Sequence, residues 1–132
     1  MVEEKKSVVD PDFNKKSSTG MDAKIAVLVS HAGILFWWGG WLSGLIIYLL
    51  EKDNRFVKFH AMQSIIIGVA AVILNIIIVI LATFTFGIGG FLFPLVVIAE
   101  LAIRIIIVIK AYNGELYKFP GAGKLAEKYT KM

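Results

Sequence analysis

The sequence predicts an all-α fold, a polytopic transmembrane helical bundle of three spans, because three long apolar runs occupy most of the chain. Hydrophobic residues make up 58% of the 132 residues, and the mean hydropathy is +0.76. Residues 25–50 and 61–86 contain no charged residue, and residues 88–109 contain only two. Each run meets or exceeds the roughly 20 residues that cross a hydrocarbon core about 30 Å thick. A soluble chain of this length could not bury three such helices, so we expect one membrane domain.

The chain begins with a polar segment, residues 1–24, which carries five lysines and is interrupted by Pro11. This segment has too few apolar side chains to offset the entropy lost on ordering. We therefore expect a disordered basic N-terminal tail.

The first apolar run, residues 25–50, contains the string FWWGGW at 36–41 in its middle. Adjacent glycines are a common place for helices to kink. We expect one long crossing, kinked or tilted at Gly39–Gly40. Two other arrangements stay open: a re-entrant hairpin that turns at these glycines, and a crossing by about 34–50 alone with 21–33 near the outer interface. A re-entrant turn needs cover for its backbone, and a small protein offers little of it.

The transmembrane domain, residues 25–112, then continues with spans at about 60–86 and 88–110. Small residues recur on one face of each of the first two spans, and such stripes let membrane helices approach closely. The stripes consist of Ala26, Ser30, Gly33, Gly40 and Gly44 in the first span, and of Ala61, Ser64, Gly68, Ala71, Asn75 and Ala82 in the second. We interpret them as packing surfaces within the chain, with Asn75 in an interhelical hydrogen bond. The alternative is that Gly40 and Gly44 mark a dimer face, for which a single such motif is weak evidence.

The third span carries the two intramembrane charges, Glu100 and Arg104. Residues four apart share a helix face, and an acid that precedes its base is the better order for an ion pair. An unpaired carboxylate near the middle of a span is costly. We therefore expect the pair to point into the bundle as a structural clamp, or else to form part of a polar pathway.

Two further polar residues, His60 and Gln63, lie where the second span enters the membrane. A histidine there could relay protons or bind a lipid head group, but polar side chains at a helix entrance more often stay wet or cap backbone N–H groups. His31, in the first span, is expected to reach toward the outer interface. Two histidines without acids at ligand spacing do not predict a metal site, and we expect no cofactor.

Basic residues predict the orientation. The first connection, 51–59, holds three of them and the last segment, from residue 110 on, holds five lysines, whereas the connection 84–94 holds no charge. The positive-inside rule places the first connection and the C-terminus in the cytoplasm, with the protein in the plasma membrane. Three full crossings would then put the lysine-bearing tail outside, which is a conflict that only a broken first span removes.

The C-terminal segment, residues 113–132, is expected to form a cytoplasmic turn and a short amphipathic element. Asn and Gly at 113–114 favour the left-handed conformation that closes helices, and Pro120 cannot continue one. The lysines are scattered without aromatic neighbours, so we expect the lipid bilayer, and not nucleic acid, as the partner.

Three strings resemble a known family. They are LIIYLLEKDN at 45–54, RFVKFHAMQS at 55–64 and AYNGELYKFPGAGKLAEKY at 111–129. The chain resembles a family of small uncharacterised archaeal and bacterial multi-pass membrane proteins with an F-H-A-x-Q-S motif. That family is distantly similar to the inner-envelope subunit of the chloroplast protein-import translocon (Tic). The resemblance implies a bundle of three or four spans and a role beside a translocating polypeptide, although the tryptophan-rich first span is longer than usual.

No catalytic motif is present: there is no nucleophile elbow, H-E-x-x-H or phosphate-binding loop, so we expect no enzyme. The primary hypothesis is a scaffold, assembly or protein-translocation-associated subunit that contacts other membrane subunits or itself. The alternative is a small homo-oligomeric channel or transporter for ions or small solutes, since intramembrane charges often mark ion pathways. The candidate functional residues are His60, Gln63, Asn75, Glu100 and Arg104.

Overall fold

The computed structural model describes residues 10–36 and 40–130, and this part of the chain contains helices and no strand. The all-α class is confirmed. The α-helices are α1 (Ala23–Ala32), α2 (Gly40–Leu50), α3 (Arg55–Phe84), α4 (Leu92–Tyr112) and α5 (Ala122–Tyr129), and 3₁₀ turns cover Gly33–Phe36 and Ile88–Phe91.

Two helical stretches in the described part are long and apolar enough to cross a membrane, Arg55–Phe84 and Ile88–Tyr112. They correspond to the second and third predicted spans. α3 begins five residues before the predicted start at 60, because the Asn54 side chain accepts a hydrogen bond from the backbone N–H of Val57 at 3.1 Å and caps the helix there. Charged residues of the first connection are thus part of the helix.

The first apolar run forms a helical hairpin in place of the expected single long crossing. Val27 of α1 and Ile47 of α2 share one buried cluster, and the Ser43 hydroxyl donates to the backbone oxygen of Ser30 at 2.9 Å. The two arms are therefore antiparallel. Each arm has ten or eleven residues, which is about 15 Å or half of a hydrocarbon core. The hairpin turn predicted at Gly39–Gly40 falls partly on residues 37–39, outside the described residues.

The hairpin brings the N-terminal segment beside the first connection. The Asn54 amide donates to the backbone oxygens of Asp12 and Lys15 at 3.0 and 2.7 Å, and Phe13 packs edge-on against Phe56. Residues 10–22 are thus held by contacts, unlike the disordered tail expected for 1–24, of which residues 1–9 lie outside the described part. The tail and the first connection share one side, so the conflict over the lysines disappears.

The stripes of small residues pack against each other within the chain. Eight of their members are buried: Ala26, Ser30, Gly33, Gly44, Ala61, Ser64, Gly68 and Asn75. A Cβ atom on Gly68 would lie 2.5 Å from Cβ and 2.6 Å from the backbone nitrogen of Trp41. α2 therefore crosses α3 at a distance that only glycine permits.

The C-terminal segment folds back onto the same end of the bundle. α4 ends at Tyr112, followed by Gly114 in the left-handed region (φ 83°), and residues 115–119 run without helix to α5. Ala126 and Thr130 are buried, and the Tyr48 hydroxyl donates to the backbone oxygen of Tyr129 at 2.9 Å. α5 therefore lies beside the end of α2, and it also packs against the same end of α3.

Substitution of Gly68 by alanine tests this close crossing. Because the new methyl group would meet backbone atoms of Trp41, we expect a loss of about 1–3 kcal/mol in stability, as for overpacked cores. Thermal unfolding in mild detergent, followed by size-exclusion chromatography, measures the loss. Gly90→Ala is the matched control, since no atom lies within 4 Å of its added Cβ. Equal unfolding temperatures of the two variants would contradict the crossing.

Candidate functional site

Arg104 is the largest fully buried polar side chain in the described part and is 2% exposed. Its Nε donates to Glu100 Oε1 at 3.0 Å, within a salt bridge one helical turn apart. Its Nη2 donates to the backbone oxygen of Ser64 at 3.1 Å, and its Nη1 donates to the Ser64 hydroxyl and lies 2.9 Å from Nδ1 of His31. We call His31, Ser64, Glu100 and Arg104 the arginine cluster. The predicted ion pair does point into the bundle.

The contact with Arg104 settles the proton position on His31. A guanidinium group has donors and no acceptor, so Nδ1 of His31 accepts and Nε2 carries the proton. His31 is 3% exposed, and within the described residues its Nε2 has no hydrogen-bond partner. The expectation that His31 extends to the outer interface is therefore wrong. Its partner on α4 lies 73 residues away in sequence, where no local pattern reveals it.

Serine hydroxyls extend the arginine cluster to the hairpin. The Ser64 hydroxyl donates to the backbone oxygen of Ser30 at 2.6 Å. That same oxygen accepts from the Ser43 hydroxyl, which in turn accepts from the backbone N–H of Gly33 at 3.0 Å. These contacts satisfy the backbone groups that become free where α1 ends. The cluster thus joins α1, α2, α3 and α4.

The groups of the arginine cluster largely saturate one another. Four of the five N–H groups of Arg104 donate to protein acceptors, and Glu100 supplies the compensating charge. A buried ion pair is stable only when such extra hydrogen bonds accompany it. The chemistry that this arrangement supports best is structural: it fixes the hairpin to both long helices.

A cleft of about 740 Å³ opens between α3 and α4 next to the arginine cluster. Its walls are almost wholly aliphatic, and Glu100 is the charged residue among them. Phe119, Pro120 and Leu125 of the C-terminal segment form its end near the hairpin side. The carboxylate of Glu100 thus stands between the buried Arg104 and this apolar cleft.

Gln63 anchors the C-terminal segment to α3. Its Nε2 donates to the backbone oxygen of Tyr117 at 3.1 Å, and its Oε1 accepts from the backbone N–H of Phe119 at 2.7 Å. The Gln63 side chain therefore pairs with two backbone groups of the non-helical segment 115–119. This structural role differs from the expectation that Gln63 stays wet or caps the start of the helix.

His60 lies in the second turn of α3 and is completely buried, which differs from the wet first-turn position expected for it. The rings of Phe56 and Phe59 contact its imidazole edge-on, with ring centroids 4.7 and 5.4 Å away. The backbone of Glu115 lies within hydrogen-bonding reach of the His60 imidazole, whereas within the described residues Oδ1 of Asn75 has no hydrogen-bond partner. The interhelical hydrogen bond expected of Asn75 is therefore not made by that oxygen.

Sequence reasoning missed a second buried acid, Glu51, at the end of α2. Its carboxylate accepts hydrogen bonds from the hydroxyl groups of Ser17 and Ser18 and from the backbone N–H groups of Ser18 and Asn54. Burial alone would raise the pKa of Glu51, but these hydrogen bonds outweigh it and hold the pKa below its usual value of 4.5. Consecutive serines in a basic tail gave only a weak hint of this contact.

Metal-ligating side chains do not gather elsewhere. In residues 10–36 and 40–130, no group of three or more His, Asp or Glu side chains is placed to hold a metal ion.

The chain matches the model of the magnetosome magnetite crystal formation protein family over residues 22–126. A UPF0132 membrane protein of Methanocaldococcus jannaschii is 44% identical over 99 residues, which cover 75% of this chain and 68% of the relative. A second UPF0132 membrane protein of that organism is 37% identical over 119 residues (90% and 98%), and one of Archaeoglobus fulgidus is 36% identical over 97 residues (74% and 90%). No solved structure matches the chain significantly. The expected resemblance to archaeal membrane proteins is confirmed.

A double-mutant cycle on Glu100 and Arg104 tests the arginine cluster. Glu100→Gln leaves Arg104 buried without a counter-charge, which costs about 3–5 kcal/mol, whereas Glu100→Gln with Arg104→Met removes both charges and costs less. Unfolding temperatures in detergent report the difference. The exposed pair Lys118–Glu127, 2.8 Å apart, is the control and should show a coupling of at most about 1 kcal/mol. Additive losses at Glu100 and Arg104 would show that they are not paired.

The Glu51 contacts predict a pH dependence. A carboxyl group whose pKa is lowered by folding stabilises the fold above its unfolded pKa, and this contribution is lost as the pH falls through the folded value. Glu51→Gln should therefore cost about 2 kcal/mol near neutral pH, and its deficit relative to the wild type should shrink as the pH falls below 4.5. Thermal unfolding between neutral and acidic pH measures this deficit. Asp53→Asn, at an exposed neighbour, is the control, and a pH-independent deficit in Glu51→Gln would refute the interpretation.

Proposed function

Because the chain belongs to the magnetosome magnetite crystal formation protein family, we propose that it acts as a non-enzymatic membrane scaffold. In this role it would hold other membrane subunits, or further copies of itself, in position. The observation that carries the proposal is the saturation of the arginine cluster. The charged groups of Glu100 and Arg104 bind each other and residues of the protein's own helices, as expected of a structural element.

The hairpin end of the bundle supplies a surface suited to partners. Residues 10–22, 51–55 and 113–130 interlock there, and we call them the polar platform. Glu51 and Asn54 bind the N-terminal segment, and Gln63 binds the C-terminal one. The exposed basic side chains of the platform are Lys15, Lys16, Lys52, Arg55, Lys118, Lys124 and Lys128. An ordered polar surface loses little entropy when a partner binds.

Two finer roles fall within the scaffold proposal. The family that the F-H-A-x-Q-S string resembles is distantly similar to the inner-envelope subunit of the chloroplast import translocon (Tic), and on that resemblance we propose a place beside a translocating polypeptide. The description of the family names magnetite crystal formation in magnetosomes, and on that basis we propose that the scaffold holds membrane components of such a compartment in place. In either role the hairpin serves as the third membrane element beside the two crossing helices.

A small homo-oligomeric channel is the second candidate, and Glu100 favours it. This carboxylate lines the apolar cleft between α3 and α4, and copies that met at their clefts would bring several carboxylates together. Such rings select cations in known channels. Reconstituted liposomes distinguish the two proposals: the scaffold leaves them tight to protons, sodium and potassium, whereas the channel conducts. Conduction through Glu100 further requires that Glu100→Gln protein, shown to be folded by its unfolding temperature, does not conduct.

Photo-crosslinking in cells tests the scaffold. A crosslinking residue at position 15 or 124, both exposed on the polar platform, should capture the same partner repeatedly, and position 86 at the opposite end should not. Purification in mild detergent should recover that partner in a fixed ratio. A monomer without crosslinks from the platform would refute the scaffold.

Orientation is tested in intact cells, because the chain has no cysteine. We propose that the polar platform faces the cytoplasm and that the protein lies in the plasma membrane, as the basic residues predict. An impermeant thiol reagent should then label Gly90→Cys and leave Asn14→Cys and Lys124→Cys unlabelled. Position 14 is the informative one, since only a re-entrant hairpin places it on the same side as position 124. Labelling at 124 would reverse the orientation, and labelling at 14 with protection at 124 would contradict the hairpin.

A further inference from the structure

The bundle is unequally wide along its two long helices. The hairpin arms α1 and α2 have ten and eleven residues, which is about 15 Å or half of a hydrocarbon core, and the 3₁₀ turn Gly33–Phe36 extends α1. Of the eleven buried residues of α3, nine lie between Phe56 and Gly68, and only Asn75 and Ile78 lie beyond. The buried residues of α4 are Arg104, Ile107 and Ala111, all in its last nine residues. Helix packing is therefore concentrated in one half, which we call the wide half.

The other half, which we call the narrow half, consists of α3 from residue 70 onward and of residues 88–99. Its side chains are apolar and open: Ile77 is 55% exposed, Phe84 is 79% exposed and Ile98 is 64% exposed. In the described part of the chain, no third helix covers these side chains.

The polar platform adds to the width at the hairpin end. α5 packs against α3 there and leaves Leu125 and Tyr129 exposed. Phe119 and Pro120 close the cleft at the same end of the bundle. An amphipathic helix that lies in the interface plane occupies area in the adjacent leaflet only.

The difference in width is substantial. Two helices about 10 Å across pass through both halves, and the hairpin adds two more in the wide half, which is roughly 160 Å² of extra cross-section in one leaflet. A membrane relieves such an imbalance by bending so that the wider leaflet becomes convex.

We propose that this chain is an intramembrane wedge that prefers curved bilayers whose convex face is on the side of its two termini. The partner is the lipid bilayer itself, recognised by shape. This goes beyond the scaffold role and does not rest on it, since the wedge depends only on the depth of the hairpin.

The arginine cluster holds the hairpin rigidly against the two long helices. The hairpin is fixed to α3 by the Ser64 hydroxyl, which donates to the backbone oxygen of Ser30 at 2.6 Å. It is fixed to α4 by Arg104, whose Nη1 lies 2.9 Å from Nδ1 of His31. Trp41 meets Gly68 at a distance that leaves no room for sliding. A hairpin so held cannot flatten against the bundle when the surrounding lipids press on it.

Orientation within vesicles provides an internally controlled test. Asn14→Cys protein is reconstituted by detergent removal into phosphatidylcholine vesicles with a minor share of phosphatidylglycerol, and the vesicles are then separated by size. An impermeant thiol reagent counts molecules whose termini face outward, and labelling after detergent lysis counts all molecules. We expect the ratio of termini-out to termini-in molecules to be at least about twofold higher in the smallest vesicles than in the largest.

The two orientations experience opposite curvature in the same vesicle, so each serves as control for the other. Gly90→Cys, at the opposite end, must report the inverse ratio. A ratio independent of vesicle size overturns the proposal, and so does enrichment of termini-in molecules in small vesicles. A second copy that fills the narrow half would make the assembly cylindrical, and would appear as the size-independent ratio.

Discussion

Backbone polar groups cannot stay unpaired in hydrocarbon, and the rest of this structure depends on how the chain meets that constraint where α1 ends. The backbone oxygen of Ser30 loses its helical partner at the break; the hydroxyl of Ser43 donates to this oxygen and accepts from the N–H of Gly33. Ser64 supplies a second donor to Ser30, and Arg104 donates to Ser64. A break in the first apolar run is thereby tolerated, because α2 and α3 supply hydrogen-bond partners for backbone groups at the end of α1, and α4 holds Ser64 in place.

Patterns among neighbouring residues predicted some features of this structure and missed the contacts between distant segments. The length of the apolar runs predicted the all-α class and the two long helices, and the spacing of four predicted the Glu100–Arg104 pair, because these properties depend only on neighbouring residues. The hairpin was not the expected arrangement, because the groups that make it tolerable come from three other helices. The contact of His31 with Arg104 and that of Glu51 with Ser17 and Ser18 were missed for the same reason, because they join residues far apart in sequence.

The arrangement of the whole chain resolves the conflict over the basic residues of the N-terminal segment. The lysines of the N-terminal segment violated the charge rule under three full crossings, and the hairpin removes the violation without moving any other element. The same hairpin leaves one half of the bundle with two helices and the other with four. Charge distribution, packing by small residues and shape across the membrane therefore have a common cause. The proposed scaffold role and the preference for curvature are separate consequences of it.

The central claim is that the first apolar run doubles back, and a distance between spin labels tests it most directly. Leu28 and Leu49 are 42% and 67% exposed, and cysteines there carry nitroxide labels in a chain without native cysteine. Antiparallel arms place the labels less than about 20 Å apart, whereas 21 residues of one continuous helix would separate their backbones by about 32 Å. Double electron–electron resonance in lipid vesicles resolves the two cases. A distribution centred near the longer distance would contradict the hairpin and everything that follows from it.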